Sequence, residues 1–224
     1  MNWLVLFDVD GTLLLTHDEV YVEADRLALT EVYGAAPGGP DVPGDTATAH
    51  TRRALAAAGF SQQEIDEGLP RWCEAFSAHY VRLLGSADTS HWEVGPGAHG
   101  ALASLEHPAL LTGNPPAVAF ARMERLDLNR YFRIGEGAFG CERERRVELF
   151  ALARERAGDW PAERTVAVGD TPLDISSAHD AGCRCVAVTT GRYGRHQLAA
   201  ADVVIATLAD LPTALAAVSG ESAN

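Results

Sequence analysis

The chain has 224 residues, more than the roughly 100–150 of a common single domain and too few for two full ones, so a core domain carrying an insertion is expected. With 47% hydrophobic and 22% charged residues, and no apolar run near the ~20 residues of a membrane span, the composition excludes a disordered chain and gives no expectation of a membrane partner. A net charge of −13 repels the phosphate backbone of nucleic acids, so no nucleic-acid partner is expected either, and the chain is read as a monomer or homodimer.

The first apolar run, Trp3 to Phe7, has no basic flank before it and Asp8 directly after it, which reads as a buried strand rather than a secretory signal. Cytoplasm is the expected compartment. Helical patterns alone follow. Thr16 with Glu19 predicts a capping box for a helix running to about Tyr33, stopped by Gly34. After a Gly/Pro-rich stretch from Pro37 to Gly44, Thr46 to Ala58 reads as an alanine-rich helix closed by Gly59. Ser61 with Glu64 opens a further helical segment that Pro70 is expected to break or kink, and Trp72, Phe76 and Tyr80 at fourfold spacing form its packing face. Residues 15–88 are therefore assigned to an α-helical insertion, and residues 1–14 and 89–224 to the core.

Three more apolar runs, Ala109 to Leu111, Thr165 to Val168 and Cys185 to Val188, each end in a polar or glycine-rich turn, reading TGN, GDT and TTG. Helices are predicted between them at Ala117 to Leu126, Val147 to Ala157 and Asp174 to Ala181; a short strand, Val203 to Ala206, and a last helix, Leu211 to Val218, close the chain. Near-continuous apolar strands alternating with helices imply an α/β fold, a Rossmann-like three-layer α/β/α core with a parallel sheet. In such sheets ligands sit beyond the carboxyl ends of the strands, where Asp8, Thr112, Asp170 and Thr190 would converge. Cys73, Cys141, Cys183 and Cys185 show neither a C-x-x-C pair nor a zinc or disulfide spacing, so four reduced thiols are expected.

Asp8 and Asp10, two apart at a strand end and followed by Gly11 and Thr12, can reach one face of a tight turn. This DVDGTL string resembles the first motif of the haloacid dehalogenase superfamily, and the later motifs follow in order over nearly the whole chain. By that resemblance Asp8 is a nucleophile toward phosphorus, and Asp10 is the general acid and then base. Thr112-Gly113-Asn114 resembles the second motif, which holds the transferring phosphate at a helix N-terminus. Gly169-Asp170-Thr171 with Asp174 resembles the fourth: the Asp8 side chain, the Asp10 main-chain carbonyl and the Asp170 carboxylate would hold Mg2+, with Asp174 in a supporting role.

At the third motif the family generally places a lysine, and this chain has none, all 18 basic residues being arginine. Arg143, Arg145 and Arg146 compete for that place; Arg146 is preferred because it directly precedes the apolar helical pattern of Val147, Phe150 and Ala151. It is expected to line the pocket partly exposed, so that its loss would cost activity and little stability. The insertion would act as a cap over the pocket, with Asp45 and Thr46 in the loop that reads the substrate. Taken together, the resemblance implies a magnesium-dependent phosphatase acting on a small phosphorylated metabolite through an aspartyl-phosphate, most like the phosphoglycolate phosphatase branch. The alternatives are a sugar-phosphate mutase of the β-phosphoglucomutase type and a non-catalytic binding protein on the same fold.

Overall fold

The computed structural model describes residues 2–219. Six parallel strands form one sheet in the order β3-β2-β1-β4-β5-β6: β1 Leu4–Phe7, β2 His107–Thr112, β3 Ala138–Phe139, β4 Thr165–Gly169, β5 Arg184–Val188 and β6 Val203–Ile205. Because side chains alternate along a strand, Val5 and Phe7 pack with Val166 and Val168 on one face, while Leu4 and Leu6 pack with Ala109 and Leu111 on the other. Helices cover both faces. Met123 of α5 (Pro116–Arg125), Ala101 of α4 (Ala98–Ala103) and Leu215 of α8 (Leu211–Val218) join the first cluster. Phe150 of α6 (Arg146–Arg156) and Ile175 of α7 (Pro172–Asp180) join the second. This is the three-layer α/β core expected from the alternating pattern.

Between β1 and β2 run α1 (Glu19–Tyr33), α2 (Ala47–Ala57) and α3 (Gln62–Leu84), with an apolar cluster of their own that includes Trp72, Phe76 and Tyr80. Val118 of α5 belongs to that cluster too, so the inserted helices pack directly against the core. Two features of these inserted helices differ from the sequence reading. Helix α1 is capped by Asp18, which accepts from the Val20 and Tyr21 amides, not by Thr16; the Thr16 hydroxyl instead accepts from the Glu93 amide. Helix α3 runs unbroken through Pro70, because Pro70 lies on the exposed side and Asp66, whose carbonyl loses its partner, is exposed to water. Ser61 and Glu64, read as opening this helix, do so and form a reciprocal capping box. Helix α4 and the two-residue β3 had no signal long enough to be read from the sequence.

Cys73 of α3 and Cys141, just beyond β3, form a disulfide with Cα atoms 6.2 Å apart, which corrects the expectation of four reduced thiols. Their 68-residue separation carries no spacing signature; only the packing of α3 against the core brings them together. Cys183 and Cys185 are free and buried. The pairing also removes the argument from reduced thiols to a cytoplasmic location. Among the described residues no helix is long and apolar enough to cross a membrane.

Candidate active site

A cleft of about 650 Å³ opens where the carboxyl ends of the strands meet the inserted helices, and Asp8, Asp10, Thr112, Asp170 and Thr190 all line it. Strand β1 delivers Asp8 directly, and the chain then turns tightly, the Leu13 and Leu14 amides donating back to the Val9 carbonyl. Gly11 sits in that turn at φ 80°, where a side chain would be strained and its Cβ would strike the Asp170 carboxylate. Gly191 after β5 crowds the same carboxylate, and Thr190 closes the cradle by donating to the Gly11 carbonyl at 2.6 Å.

Arg146, at the first turn of α6 and only 4% exposed, donates from Nη2 to Asp8 Oδ1 at 2.8 Å and pairs with Asp174 Oδ1 at 2.5 Å. Its Nη1 donates to the Gly44 carbonyl at 2.8 Å. Burial works against this charge, but Asp174 and Asp8 hold the guanidinium above its ordinary range. Arg143 and Arg145 are exposed: the first donates to the Glu142 carbonyl, and the second lies 3.9 Å from Glu148. Of the three candidates, Arg146 is the one placed at Asp8. It is buried, however, not partly exposed as expected.

Burial raises the Asp8 carboxyl well above the usual carboxylate range against the pull of Arg146, with Asp174, Asp170 and Asp10 adding to the rise. Asp170, 4% exposed, is pushed up to about 7 by burial and then by Asp174 and Asp10. Its Oδ1 is buried without a hydrogen-bond partner. A hard divalent cation fits such a place, since it would bond that oxygen and offset the crowded negative charge. Among the described residues no three acidic, histidine or cysteine side chains converge to chelate an ion unaided. Asp8 and Asp170, which both line the cleft, offer carboxylate oxygens of the kind Mg2+ accepts.

Asp174 caps α7 reciprocally with Thr171 while it holds Arg146, so it orients the site. Thr112 and Asn114 are both buried, and the Asn114 amide donates to Asp10 Oδ2 at 2.7 Å and to Thr112 Oγ1 at 2.9 Å. Gly113 meets the inserted helices: its carbonyl accepts from the Ala47 amide, and a Cβ there would strike the Asp45 carbonyl. Asp45 and Thr46 do line the cleft, but their side chains are engaged within the protein. Asp45 accepts from the Thr46 amide and pairs with Arg53, and Thr46 donates to the Glu144 carbonyl.

Sequence reasoning missed Arg122. This α5 residue is 1% exposed; its Nη1 donates to both oxygens of Asp10 at 3.0 Å, and its Nη2 pairs with Asp18 at 2.8 Å. The guanidinium lies 4.9 Å from the Tyr21 ring centroid and 5.6 Å from that of Tyr80, whose hydroxyl also donates to Asp18. The available signal was its place on the buried stripe Val118, Ala119, Arg122 and Met123, an arginine where an apolar residue belongs.

A family model described as haloacid dehalogenase-like hydrolase matches residues 4–182. The chain belongs to that family. It is accordingly an enzyme, a hydrolase, and it is similar to Phosphoglycolate phosphatase 1 of Pseudomonas aeruginosa, with 29% identity over 206 residues covering 86% of this chain and 71% of that protein. Among solved structures, a predicted phosphoglycolate phosphatase from Haemophilus somnus superposes with a TM-score of 0.63 at 20% identity over 95% of this chain and 97% of that one. A β-phosphoglucomutase from Clostridium difficile gives a TM-score of 0.67 at 17% identity over 98% of each chain. At these identities the two structures speak for the haloacid dehalogenase-like fold alone.

Proposed function

We propose that this hydrolase cleaves small phosphomonoesters with magnesium, carrying the phosphoryl group transiently on Asp8. The observation that carries the reading is the Asp8 carboxylate lining the cleft: Arg146 engages Oδ1 at 2.8 Å, and Oδ2 has no hydrogen-bond partner among the described residues. Residues 1–14 and 89–224 act as the catalytic core and residues 15–88 as the cap.

In the first step Asp8 Oδ2 attacks phosphorus, the ester P–O bond breaks, and protonated Asp10 gives its proton to the departing alkoxide. In the second step Asp10, now a carboxylate, takes a proton from water as that water attacks the phosphoryl group, which frees phosphate and restores Asp8. Thr112, the Gly113 amide, Asn114 and Arg146 would surround the phosphoryl oxygens. Asp174 keeps Arg146 aimed, and Asn114 with Arg122 fixes the Asp10 carboxylate. Held by Asp8, Asp170 and the Asp10 carbonyl, magnesium would supply further positive charge to those oxygens.

Asp8→Asn should retain the parent's circular-dichroism melt while turnover of p-nitrophenyl phosphate drops below about 1%, since loss of a covalent route removes several orders of magnitude in rate. Activity above that level would remove Asp8 from the role. Free phosphate is the expected product from sugar phosphates; an isomerised ester without free phosphate would favour the mutase reading.

A further inference from the structure

Beyond the phosphoryl end, the cleft continues past Asp10 to Tyr21 and Asp25 of α1, His50 of α2 and Trp72 of α3. Its volume of about 650 Å³ falls within the range of pockets that enclose ligands larger than a two-carbon ester. We propose that this end of the cleft selects a leaving group bearing hydrogen-bond donors, hydroxyl or ammonium, and rejects one bearing a carboxylate. The inference rests on the phosphomonoesterase reading and narrows its substrate class.

Charge decides the sign. Seven aspartates line the cleft against three arginines, and each arginine is already paired. Arg146 serves Asp8 and Asp174, Arg122 serves Asp10 and Asp18, and Arg192 bonds Asp41 at 2.9 Å. Among the described residues no arginine of the cleft is without a carboxylate partner, so a substrate carboxylate would have to compete with an aspartate for each of them. His17 and His50 also line the cleft, but His50 already lies in the field of Asp25.

Asp25 is the group that such a carboxylate would meet. It is half-buried on the cleft wall, and no arginine pairs with it among the described residues. The Trp72 indole Nε1 donates to its Oδ1 at 2.9 Å, which fixes the carboxylate and leaves Oδ2 without a hydrogen-bond partner among the described residues. A hydroxyl or ammonium would donate to that oxygen; a second carboxylate would face it as a like charge in a partly desolvated place. Burial already raises the Asp25 carboxyl, against the Trp72 hydrogen bond and His50, so another anion would add to an existing cost.

Binding can be read without turnover in the Asp8→Asn variant with magnesium, titrated calorimetrically with sn-glycerol 3-phosphate, phosphoethanolamine and 2-phosphoglycolate. At least one of the first two should bind about tenfold or more tightly than the third, the size expected when one like-charge contact is avoided. The stronger of the two assigns the donor as hydroxyl or ammonium. Adding Asp25→Asn, which keeps an acceptor for the Trp72 indole, should shrink the preference to about twofold. Equal or tighter binding of 2-phosphoglycolate, no binding of any of the three, or a preference that survives Asp25→Asn overturns the inference. Parent turnover of p-nitrophenyl phosphate tests the phosphatase reading separately: turnover with a 2-phosphoglycolate preference sinks the selectivity alone, and selectivity without turnover sinks the reaction alone.

Discussion

A guanidinium at position 146 keeps its charge at every accessible pH and reaches Asp8 and Asp174 through Nη2 while Nη1 holds the Gly44 carbonyl, a fork that the single nitrogen of a lysine does not offer. Arg146→Ala should lower turnover about 100-fold or more. Because the side chain is buried between Asp8 and Asp174, its removal should also cost about 3 kcal/mol or more in a denaturant melt, rather than leave stability untouched. Arg146→Lys should recover part of both losses, and alanine at exposed Arg143 or Arg145 should change neither. A second arginine makes a different prediction. If Arg122 holds Asp10 for protonating the leaving group, Arg122→Met should slow sn-glycerol 3-phosphate about 100-fold and p-nitrophenyl phosphate several-fold less, since a nitrophenolate departs without a proton. Equal losses on both esters would make Arg122 a packing residue. The motif aspartates and Arg146 were legible because strand ends and a helix start fix their positions. Arg122 was not, because a lone arginine on an amphipathic helix is ordinarily read as solvent-facing.

Helices α1 and α3 show where local patterns run out. Thr16 and Glu19 have capping-box spacing, yet Asp18 wins the cap because its carboxylate serves the Val20 and Tyr21 amides while receiving Arg122 and the Tyr80 hydroxyl. Those two partners lie 104 and 62 residues away and leave no trace in a local window. Pro70 illustrates the converse: its cost falls on an exposed turn, and the buried row of Trp72, Phe76 and Tyr80 continues the helix past it. The Cys73–Cys141 bridge then ties α3 to the segment after β3. Denatured without reductant, the protein should expose two reactive thiols, Cys183 and Cys185, and four after reduction. On the chain-entropy account, closing a loop of this length stabilises the fold by about 4 kcal/mol, so reduction should lower the melting temperature clearly. Four reactive thiols without reductant would show that the bridge is not formed in solution.

Across the whole molecule, four short strings read in order along the chain converge because a parallel sheet brings its strand ends to one edge. The parallel sheet was therefore implied by the sequence, while its strand order was not read from it. What lines the far wall was not, since Asp25, Trp72 and Tyr21 reach the cleft only through the packing of α1 against α3. The same convergence crowds carboxylates, and this has a measurable consequence. Asp170 is pushed up to about 7 in the fold, while an unfolded aspartate stays near its ordinary 3.8. Between those values the folded protein binds more protons than the unfolded chain, so stability from this group is present below about pH 4 and is lost as pH rises toward 7. In chelator, the melting temperature should therefore carry a downward contribution over this window, at about 2–4 °C per kcal/mol for a chain of this size. Asp170→Asn, which does not titrate, should remove it. Magnesium binds the ionised carboxylate in competition with the proton, so a fixed magnesium concentration should raise the melting temperature more at pH 7.5 than at pH 5. An equal rise at both pH values, or a rise that persists in Asp170→Asn, would place the cation elsewhere.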